Sequence, residues 1–306
     1  MPDRTFRVGT RGSALATRQT GIVIDSLRAD RPSASFETVT IRTAGDRSRA
    51  SLSEIGGRGV FVVELERALL AGDIDIAVHS LKDLPGTDTE GLTIAAVPRR
   101  EDPRDALISR DGLHLDDLPP GARIGTGSPR RAAQLLARRP DLTVADIRGN
   151  VDTRFRKVDK GEYDAVVLAA AGLARLGWLD RATELLPFDV MLPAVGQGAL
   201  AVQVRANDGE AIAIVRAAGD PETAAAVAAE RAFERRLGGG CHAAIAALAQ
   251  TIGARLRLRG LVADVSGARL LRAESEGPVA DAESLGLRLA ERLISEGASQ
   301  LLEAVG

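Results

Sequence analysis

Three features of this chain carry side chains that could do chemistry. The single cysteine, Cys241, closes a run of three glycines and is followed by His242. A glycine run lets the backbone turn sharply, so the sulfur could face a cleft, although a lone thiol is also a common buried apolar group. Lys82 and Asp83 follow a stretch of apolar residues, and arginines crowd the middle of the sequence. The candidates for chemistry are therefore a thiol, an acid–base pair and an anion-binding surface.

The arginines indicate an anionic ligand. Ser128 can cap a helix that begins at Pro129, and the free N–H groups and dipole at a helix start favour an anion. Arg130 and Arg131 fall in that first turn, where each cation costs the helix about 0.3–1 kcal/mol. A bound anion would explain why the helix keeps these two cations in its first turn. The alternative is that both arginines are solvated.

The wider charge pattern favours carboxylates over phosphates as the ligand groups. Residues 121–160 contain ten Arg or Lys and four Asp. The planar guanidinium suits both kinds of anion, but the sequence has no Walker lysine motif and no complete G-x-G-x-x-G. We therefore expect a ligand with many carboxylates. The arginines expected to line one cleft are Arg11, Arg130, Arg131, Arg148, Arg154 and Arg175.

Asp83 is the candidate acid–base group, with Lys82 beside it. A carboxylate near a developing cation can stabilise the cation and exchange protons. Asp83 could instead cap a turn before Pro85, and these two interpretations stay open. No metal site is expected, because the three histidines are scattered along the sequence and there is no second cysteine.

A faint internal repeat positions these residues. Each copy has the pattern of a short strand, a Gly-Thr turn, a serine cap and a helix, with a turn and a buried strand further on. The matching segments are 7–27 with 123–138, and 72–78 with 161–167. Alternating strands and helices predict parallel α/β units, whose ligands bind beyond the carboxyl ends of the strands. Because βα units also resemble one another by composition, duplication is one of two explanations.

The fold class predicted is α/β: two lobes with a cleft between them, then a small α+β domain. Lobe 1 is expected over residues 1–98, with a return at 199–217, lobe 2 over 104–193, and the C-terminal domain with the cysteine over 220–306. Asp220 and Pro221 should start a helix in the last domain. Its expected elements are that helix to about Leu237, strands over 255–259 and 269–274, and helical spacing over 281–305.

The composition argues against several classes of function. A net charge of −2 and eight aromatic residues give no basic or base-stacking surface for nucleic acid. The N-terminus lacks the apolar core of a signal peptide, and the longest apolar stretch, 166–174, is too short to cross a bilayer. One cysteine cannot form an internal disulfide. We therefore expect a cytoplasmic enzyme with no membrane or nucleic-acid partner.

These features resemble the porphobilinogen deaminase (hydroxymethylbilane synthase) family along nearly the whole chain. The segments where the resemblance is strongest are 7–18, 55–66, 79–85, 101–106, 124–131, 147–154, 168–176 and 192–199. The resemblance implies two lobes like those of periplasmic binding proteins and a third domain that bears the cysteine. It also implies a monomeric enzyme that joins four porphobilinogen units head to tail into linear hydroxymethylbilane, with loss of ammonia at each step.

The resemblance further implies a dipyrromethane cofactor, held by a thioether to Cys241. Asp83 matches the catalytic aspartate, which contacts the pyrrole nitrogens and supports a cationic methylene-pyrrolenine intermediate, and Lys82 is its catalytic neighbour. The cofactor contacts implied are Cys241, Lys82, Asp83, Thr126, Ser128, Arg130, Arg131, Arg148 and Gly172. The substrate contacts implied are Arg11, Ser13, Phe61, Arg148, Arg154, Arg175 and Gln197.

Two positions depart from the family pattern. Ala243 and Ala244 follow His242 where relatives often have a proline or a bulkier residue, and Gln203 stands where many members carry an acid.

The polar stretch 45–58 is expected to form a lid over the site.

Two other functions compete with an enzyme. A non-catalytic two-lobed binder of small carboxylate anions would share the arginines, but it would need neither Cys241 on a glycine loop nor the Lys82-Asp83 pair. The effector domain of a transcriptional regulator would need a DNA-binding helix pair, which we do not find in the sequence.

Overall fold

The computed structural model describes residues 4–41, 62–238 and 243–303. The chain divides into two compact units, Met1–Glu101 with Ala199–Ala225 and Asp102–Gly198 with Ala226–Gly306. The strands in the described ranges are β1 (Thr5–Arg11), β2 (Ser35–Ile41), β3 (Ile76–Ser80), β4 (Leu92–Ala96), β5 (Asp105–Ser109), β6 (Arg123–Gly125), β7 (Thr143–Ala145), β8 (Ala165–Ala169), β9 (Glu184–Leu185), β10 (Leu200–Arg205), β11 (Ala244–Ile252), β12 (Arg255–Ala263) and β13 (Leu270–Pro278). The helices there are α1 (Ala14–Asp30), α2 (Val63–Ala71), α3 (Pro129–Arg138), α4 (Val151–Asp159), α5 (Ala170–Leu176), α6 (Gly209–Val215), α7 (Pro221–Leu237), α8 (Ala282–Ser295) and α9 (Ala298–Glu303).

The first unit is built on a five-stranded sheet with the order β2-β1-β3-β10-β4. β1 runs parallel to β2 and β3, and β10 runs antiparallel to β3 and β4. Ile76 and Val78 of β3 belong to the core that includes Leu27 of α1, whereas Ala77 belongs to the core that includes Leu65 of α2. Alternate residues of β3 thus belong to separate cores, as expected for a strand buried on both faces.

A second five-stranded sheet, in the other unit, repeats this plan. Its order is β7-β6-β8-β5-β9, with β6 parallel to β7 and β8, and β5 antiparallel to β8 and β9. Both sheets therefore have three parallel strands, one reversed strand, and an outer strand in the original direction. The repeated sequence pattern corresponds to this shared topology.

The second unit also contains the antiparallel sheet β11-β12-β13. Asp220 starts α7 as predicted, because its Oδ1 accepts a hydrogen bond from the Thr223 amide at 2.8 Å. Gly286 of α8 lies against α7 so closely that a Cβ there would be 2.2 Å from the carbonyl oxygen of Ala229. Only glycine permits this approach of the two helices.

The predicted fold class is confirmed: two α/β lobes with a small α+β region after them. The helical spacing predicted over 281–305 corresponds to two helices, because Gly297 takes a φ of 99° and separates α8 from α9. The buried strand predicted within the segment 72–78 begins at Ile76 and continues to Ser80. In the part of the chain that the structure describes, no helix combines the length and the apolar character that a bilayer crossing requires.

Candidate active site

The first unit brings four predicted site residues to one edge of its sheet: Arg11, Ser13, Lys82 and Asp83. β1 and β3 are parallel, so Arg11 at the end of β1 and the residues that follow β3 share the carboxyl edge. Ser13 caps α1, and its hydroxyl accepts a hydrogen bond from the Ala16 amide at 3.2 Å. Gln19, further along α1, donates through its Nε2 to the Ser80 hydroxyl at 3.0 Å. These contacts fix the ends of β1 and β3 relative to each other.

Lys82 and Asp83 occupy a 3₁₀ turn, Leu81–Asp83, directly after β3. Leu81 and Leu84 are buried and anchor the turn, while Lys82 and Asp83 are half-buried. Asp83 is the last residue of the turn rather than its first, and in the described ranges the turn has no side-chain cap. A capping role for Asp83 therefore finds no support in this geometry.

His79 is a buried polar residue of this edge to which the sequence assigned no role. Burial lowers the pKa of its imidazole to about 4, the Gln203 side chain raises it in part, and the charge of Arg11 lowers it further. Gln203 in turn donates from Nε2 to Glu66 Oε1 at 2.8 Å, and the Thr89 hydroxyl donates to Glu66 Oε2 at 2.8 Å. His79 is thus neutral at neutral pH and adds no positive charge beside Arg11.

The second unit brings a larger group of predicted residues to the corresponding edge. β6, β7 and β8 are parallel, and the segments that follow them carry the side chains expected to bind anions. The arginine cluster of this edge comprises Arg130, Arg131, Arg148, Arg154 and Arg175. Arg11 belongs to the first unit, so the single cleft expected to unite it with this cluster stays a prediction.

The segment after β6 forms the start of α3. The buried Thr126 hydroxyl accepts a hydrogen bond from the Ser128 amide at 3.2 Å. Ser128 is the N-cap residue and Pro129 follows at the first helical position, as predicted, but the Ser128 side chain makes no capping hydrogen bond. Gly127 lies so close to Asp146 that a Cβ would be 2.7 Å from the Asp146 Oδ1. A glycine at position 127 leaves room for Asp146, which accepts a hydrogen bond from Arg148 of the cluster.

Arg130 and Arg131 share one carboxylate, that of Asp105. Arg130 Nη1 donates to Asp105 Oδ2 at 2.8 Å, and Arg131 donates to Oδ1 through Nε at 3.0 Å and Nη2 at 2.7 Å. Burial alone would raise the pKa of Asp105, but the two arginines outweigh burial and hold that pKa well below its usual range. Asp105 is therefore a buried anion, and it is a site residue that the sequence analysis missed.

The loop after β7 and the start of α4 supply the next two arginines. Arg148 Nε donates to Asp146 Oδ2 at 2.8 Å, and Arg154 Nε donates to the Gly149 carbonyl at 2.8 Å. Burial lowers the pKa of Arg154 to about 10, and the charges of Arg131 and Arg148 lower it further. These arginines are close enough to repel one another, so the edge favours an incoming anion.

Gly172 and Arg175 lie on α5, after β8. Gly172 is buried, and Arg175 Nη2 donates to the Gly198 carbonyl at 2.6 Å. Gln197 is completely buried, and its Nε2 donates to Asp105 Oδ1 at 2.9 Å and to the Pro103 carbonyl at 2.8 Å. In this geometry Gln197 supports the Asp105 carboxylate, and its predicted contact with the growing chain stays a prediction.

Three expectations fall outside the described residues. They concern the attachment residue Cys241, the predicted substrate contact Phe61 and the lid over 45–58. Along the sequence, Cys241 stands between the end of α7 and the start of β11.

Comparison with known proteins assigns both parts of the chain to one family. Residues 6–213 match the model described as "Porphobilinogen deaminase, dipyromethane cofactor binding domain", and residues 224–295 match "Porphobilinogen deaminase, C-terminal domain". Among solved structures, the periplasmic VFT2 domain of Bordetella pertussis BvgS is similar with a TM-score of 0.43 and 17% identity, over 70% of this chain and 86% of that one.

Curated relatives match over almost the full length. The porphobilinogen deaminase of Syntrophus aciditrophicus (strain SB) is 50% identical over 97% of this chain and 98% of its own. That of Pelotomaculum thermopropionicum (strain DSM 13744 / JCM 10971 / SI) is 50% identical over 98% of this chain and 96% of its own. With the strand-edge arginines and the Lys82-Asp83 turn in place, these matches show that the chain belongs to the porphobilinogen deaminase family.

Proposed function

We propose that the arginine cluster of the second unit holds the dipyrromethane primer of this enzyme. On that primer the enzyme condenses four porphobilinogen molecules into hydroxymethylbilane and releases one ammonia for each. Every pyrrole of the primer and of the growing chain carries an acetate and a propionate. The ligand is therefore a polyanion, which is the class of ligand that clustered arginines bind.

The observation that carries this proposal is the gathering of five arginines at one sheet edge. Asp105 accepts hydrogen bonds from Arg130 and Arg131, and Asp146 accepts one from Arg148. The lowered pKa of Arg154, about 10, reflects burial together with repulsion from Arg131 and Arg148. Carboxylates of a ligand would relieve that repulsion, so the residues present fit a dipyrromethane.

In this proposal the arginines divide the work. Arg130 and Arg131 hold the primer's carboxylates, together with Thr126, Ser128, Arg148 and the close backbone approach at Gly172. Arg11, Ser13, Arg154 and Arg175 bind the carboxylates of incoming porphobilinogen. When bound, the dipyrromethane supplies the pyrrole carbon to which the first substrate unit is joined. We assign its thioether attachment to Cys241, since the chain has no other cysteine.

Asp83 does the electrostatic work of the reaction. Departure of ammonia leaves positive charge on the substrate pyrrole, and a fixed carboxylate stabilises that charge more than it stabilises the uncharged pyrrole ring of bound substrate. Asp83 stands on a turn that Leu81 and Leu84 anchor, so its position is set before substrate arrives. Lys82, on the same turn, provides a cation for a substrate carboxylate.

Intact mass and ammonia release test the function together. The resting enzyme should exceed the mass of its sequence by one dipyrromethane, and porphobilinogen should add pyrrole units while ammonia is released. Cys241→Ala should have the mass of its bare sequence and release no ammonia. A carboxylate-binding protein without catalysis would show neither the added mass nor the ammonia, and that outcome would refute the proposal.

The remaining assignments are also proposals. We infer that residues 220–306 act as the domain that carries the cofactor attachment, and that the enzyme works as a cytoplasmic monomer without nucleic acid. The family match and the single cysteine support these inferences. Sedimentation of the loaded enzyme would test the monomer, and fractionation of the source cells would test the location.

A further inference from the structure

We propose that Asp105 is a positioning residue of this reaction: its one buried carboxylate aligns Arg130, Arg131 and Gln197 so that the two guanidinium groups are ready for the primer's carboxylates. This inference rests on the assignment of Arg130 and Arg131 to the primer. Asp105 itself would touch neither primer nor substrate, because it is completely buried.

The hydrogen bonds of the Asp105 carboxylate are shared among three side chains. Oδ2 accepts from Arg130 Nη1 at 2.8 Å, whereas Oδ1 accepts from Arg131 at 2.7 and 3.0 Å and from Gln197 at 2.9 Å. One carboxylate thus joins side chains from two separate segments, the start of α3 and the loop before β10. Removing its charge would weaken a contact of all three side chains at once.

Each of the two arginines also donates to a backbone carbonyl. Arg130 Nη1 also donates to the Leu192 carbonyl at 2.7 Å, and Arg131 Nη1 donates to the Val167 carbonyl at 3.0 Å. With a carboxylate on one side and a carbonyl on the other, each guanidinium plane is held in one orientation. Such preorganisation matters because a misplacement of about 1 Å can cost about 10²-fold in rate.

Asp105 is held in place by the sheet. It begins β5, where it pairs with Ala169 of β8, and its carbonyl accepts a hydrogen bond from the Leu186 amide at 2.9 Å. Since β5 runs antiparallel to β8, the amino end of β5 reaches the edge where β6, β7 and β8 end. The reversed strand β5 therefore places Asp105 at the edge where the arginine cluster lies.

The test uses the full-length chain with Asp105→Asn and Asp105→Glu. Asn removes the charge, and Glu keeps the charge but moves it by one methylene. We expect both variants to acquire the dipyrromethane at least about 10-fold more slowly from porphobilinogen, per folded molecule, as followed by intact mass. Asp164→Asn is the matched control, because Asp164 is an ion-paired acid at the opposite edge of the same sheet.

The outcomes separate positioning from stability. A lower melting temperature with normal loading per folded molecule, in either variant, overturns the inference. If Asp105→Asn does not fold, Asp105→Glu decides: slow loading supports positioning and normal loading refutes it. Arg131→Leu separates this inference from the proposed function. If Arg131→Leu loads normally, the primer assignment is wrong; if it stays unloaded while the Asp105 variants load normally, only the positioning role is wrong.

Discussion

Replacing Asp83 by Asn should remove most of the activity and almost none of the stability. The side chain ends a 3₁₀ turn without capping it, and the buried Leu81 and Leu84 hold that turn in place. An amide of the same shape should therefore change the free energy of unfolding by no more than about 0.5 kcal/mol. For a chain of this length, that corresponds to a melting shift of less than about 2 °C.

The effect on the rate follows from charge. Asn at position 83 would present a dipole where Asp83 presents a full negative charge to the cation that forms as ammonia leaves. Loss of one preorganised electrostatic partner costs about 10²–10³ in turnover, or about 2.7–4 kcal/mol of transition-state stabilisation. Asp83→Glu keeps the charge but displaces it by a methylene, so it should retain partial activity.

The assay is ammonia release from porphobilinogen by purified enzyme whose cofactor content has been checked by intact mass. Asp83→Asn should carry the cofactor, melt normally and turn over slowly. Asp117→Asn is the matched control, because Asp117 also ends a 3₁₀ turn, Leu115–Asp117, in the other unit. Full activity in Asp83→Asn would remove Asp83 from the mechanism and restore the capping interpretation, because Asn is itself a good cap.

Two further predictions concern the arginines and the buried histidine. Arg131→Leu should accumulate as cofactor-free protein by intact mass, whereas Arg154→Leu should carry cofactor but have a raised KM for porphobilinogen; normal loading and turnover in both would contradict the division of work. The pKa of His79 is lowered to about 4 by burial, so the unfolded chain, with a histidine pKa of about 6.5, binds the proton first as pH falls. Stability should therefore be complete above pH 6.5 and fall towards pH 4, with about 2 kcal/mol lost at pH 5. Comparing denaturant unfolding of wild type and His79→Gln at pH 8 and pH 5 isolates this contribution, and equal losses in both would refute it.

Local sequence rules predicted the elements that end at well-defined caps. Pro129 and Pro221 mark the first residues of α3 and α7, and both helices end where the sequence pattern ends. The rule that ligands bind beyond the carboxyl ends of parallel strands placed Arg11, Arg131 and the Lys82-Asp83 turn at sheet edges, as observed. These successes depend on interactions within a few residues of each other.

The missed features depend on contacts between distant segments. Asp105 opens an apolar strand, and nothing near it in the sequence shows that this strand is reversed and reaches the arginine edge. β11 was not predicted, because its alanine-rich sequence does not alternate, yet it is buried along most of its length. The sequence pattern placed Ile74 and Asp75 in the strand. In the structure both residues precede β3, and the Asp75 carboxylate accepts hydrogen bonds from Arg4, Arg7 and Arg205.

The balance of charge at the second sheet edge connects these observations to function. A protein selected for stability alone would gain from a second carboxylate beside Arg130 and Arg131, since buried like charges oppose folding. A second carboxylate would also cancel the attraction for acetate and propionate groups, and the edge would no longer select a polyanion. Asp105, on a rigid strand, fixes the two guanidinium planes through hydrogen bonds to both. Burial is the main cause of the lowered pKa of Arg154, and the charges of Arg131 and Arg148 lower it further. A bound polycarboxylate would offset that repulsion, so we expect it to raise the pKa of Arg154.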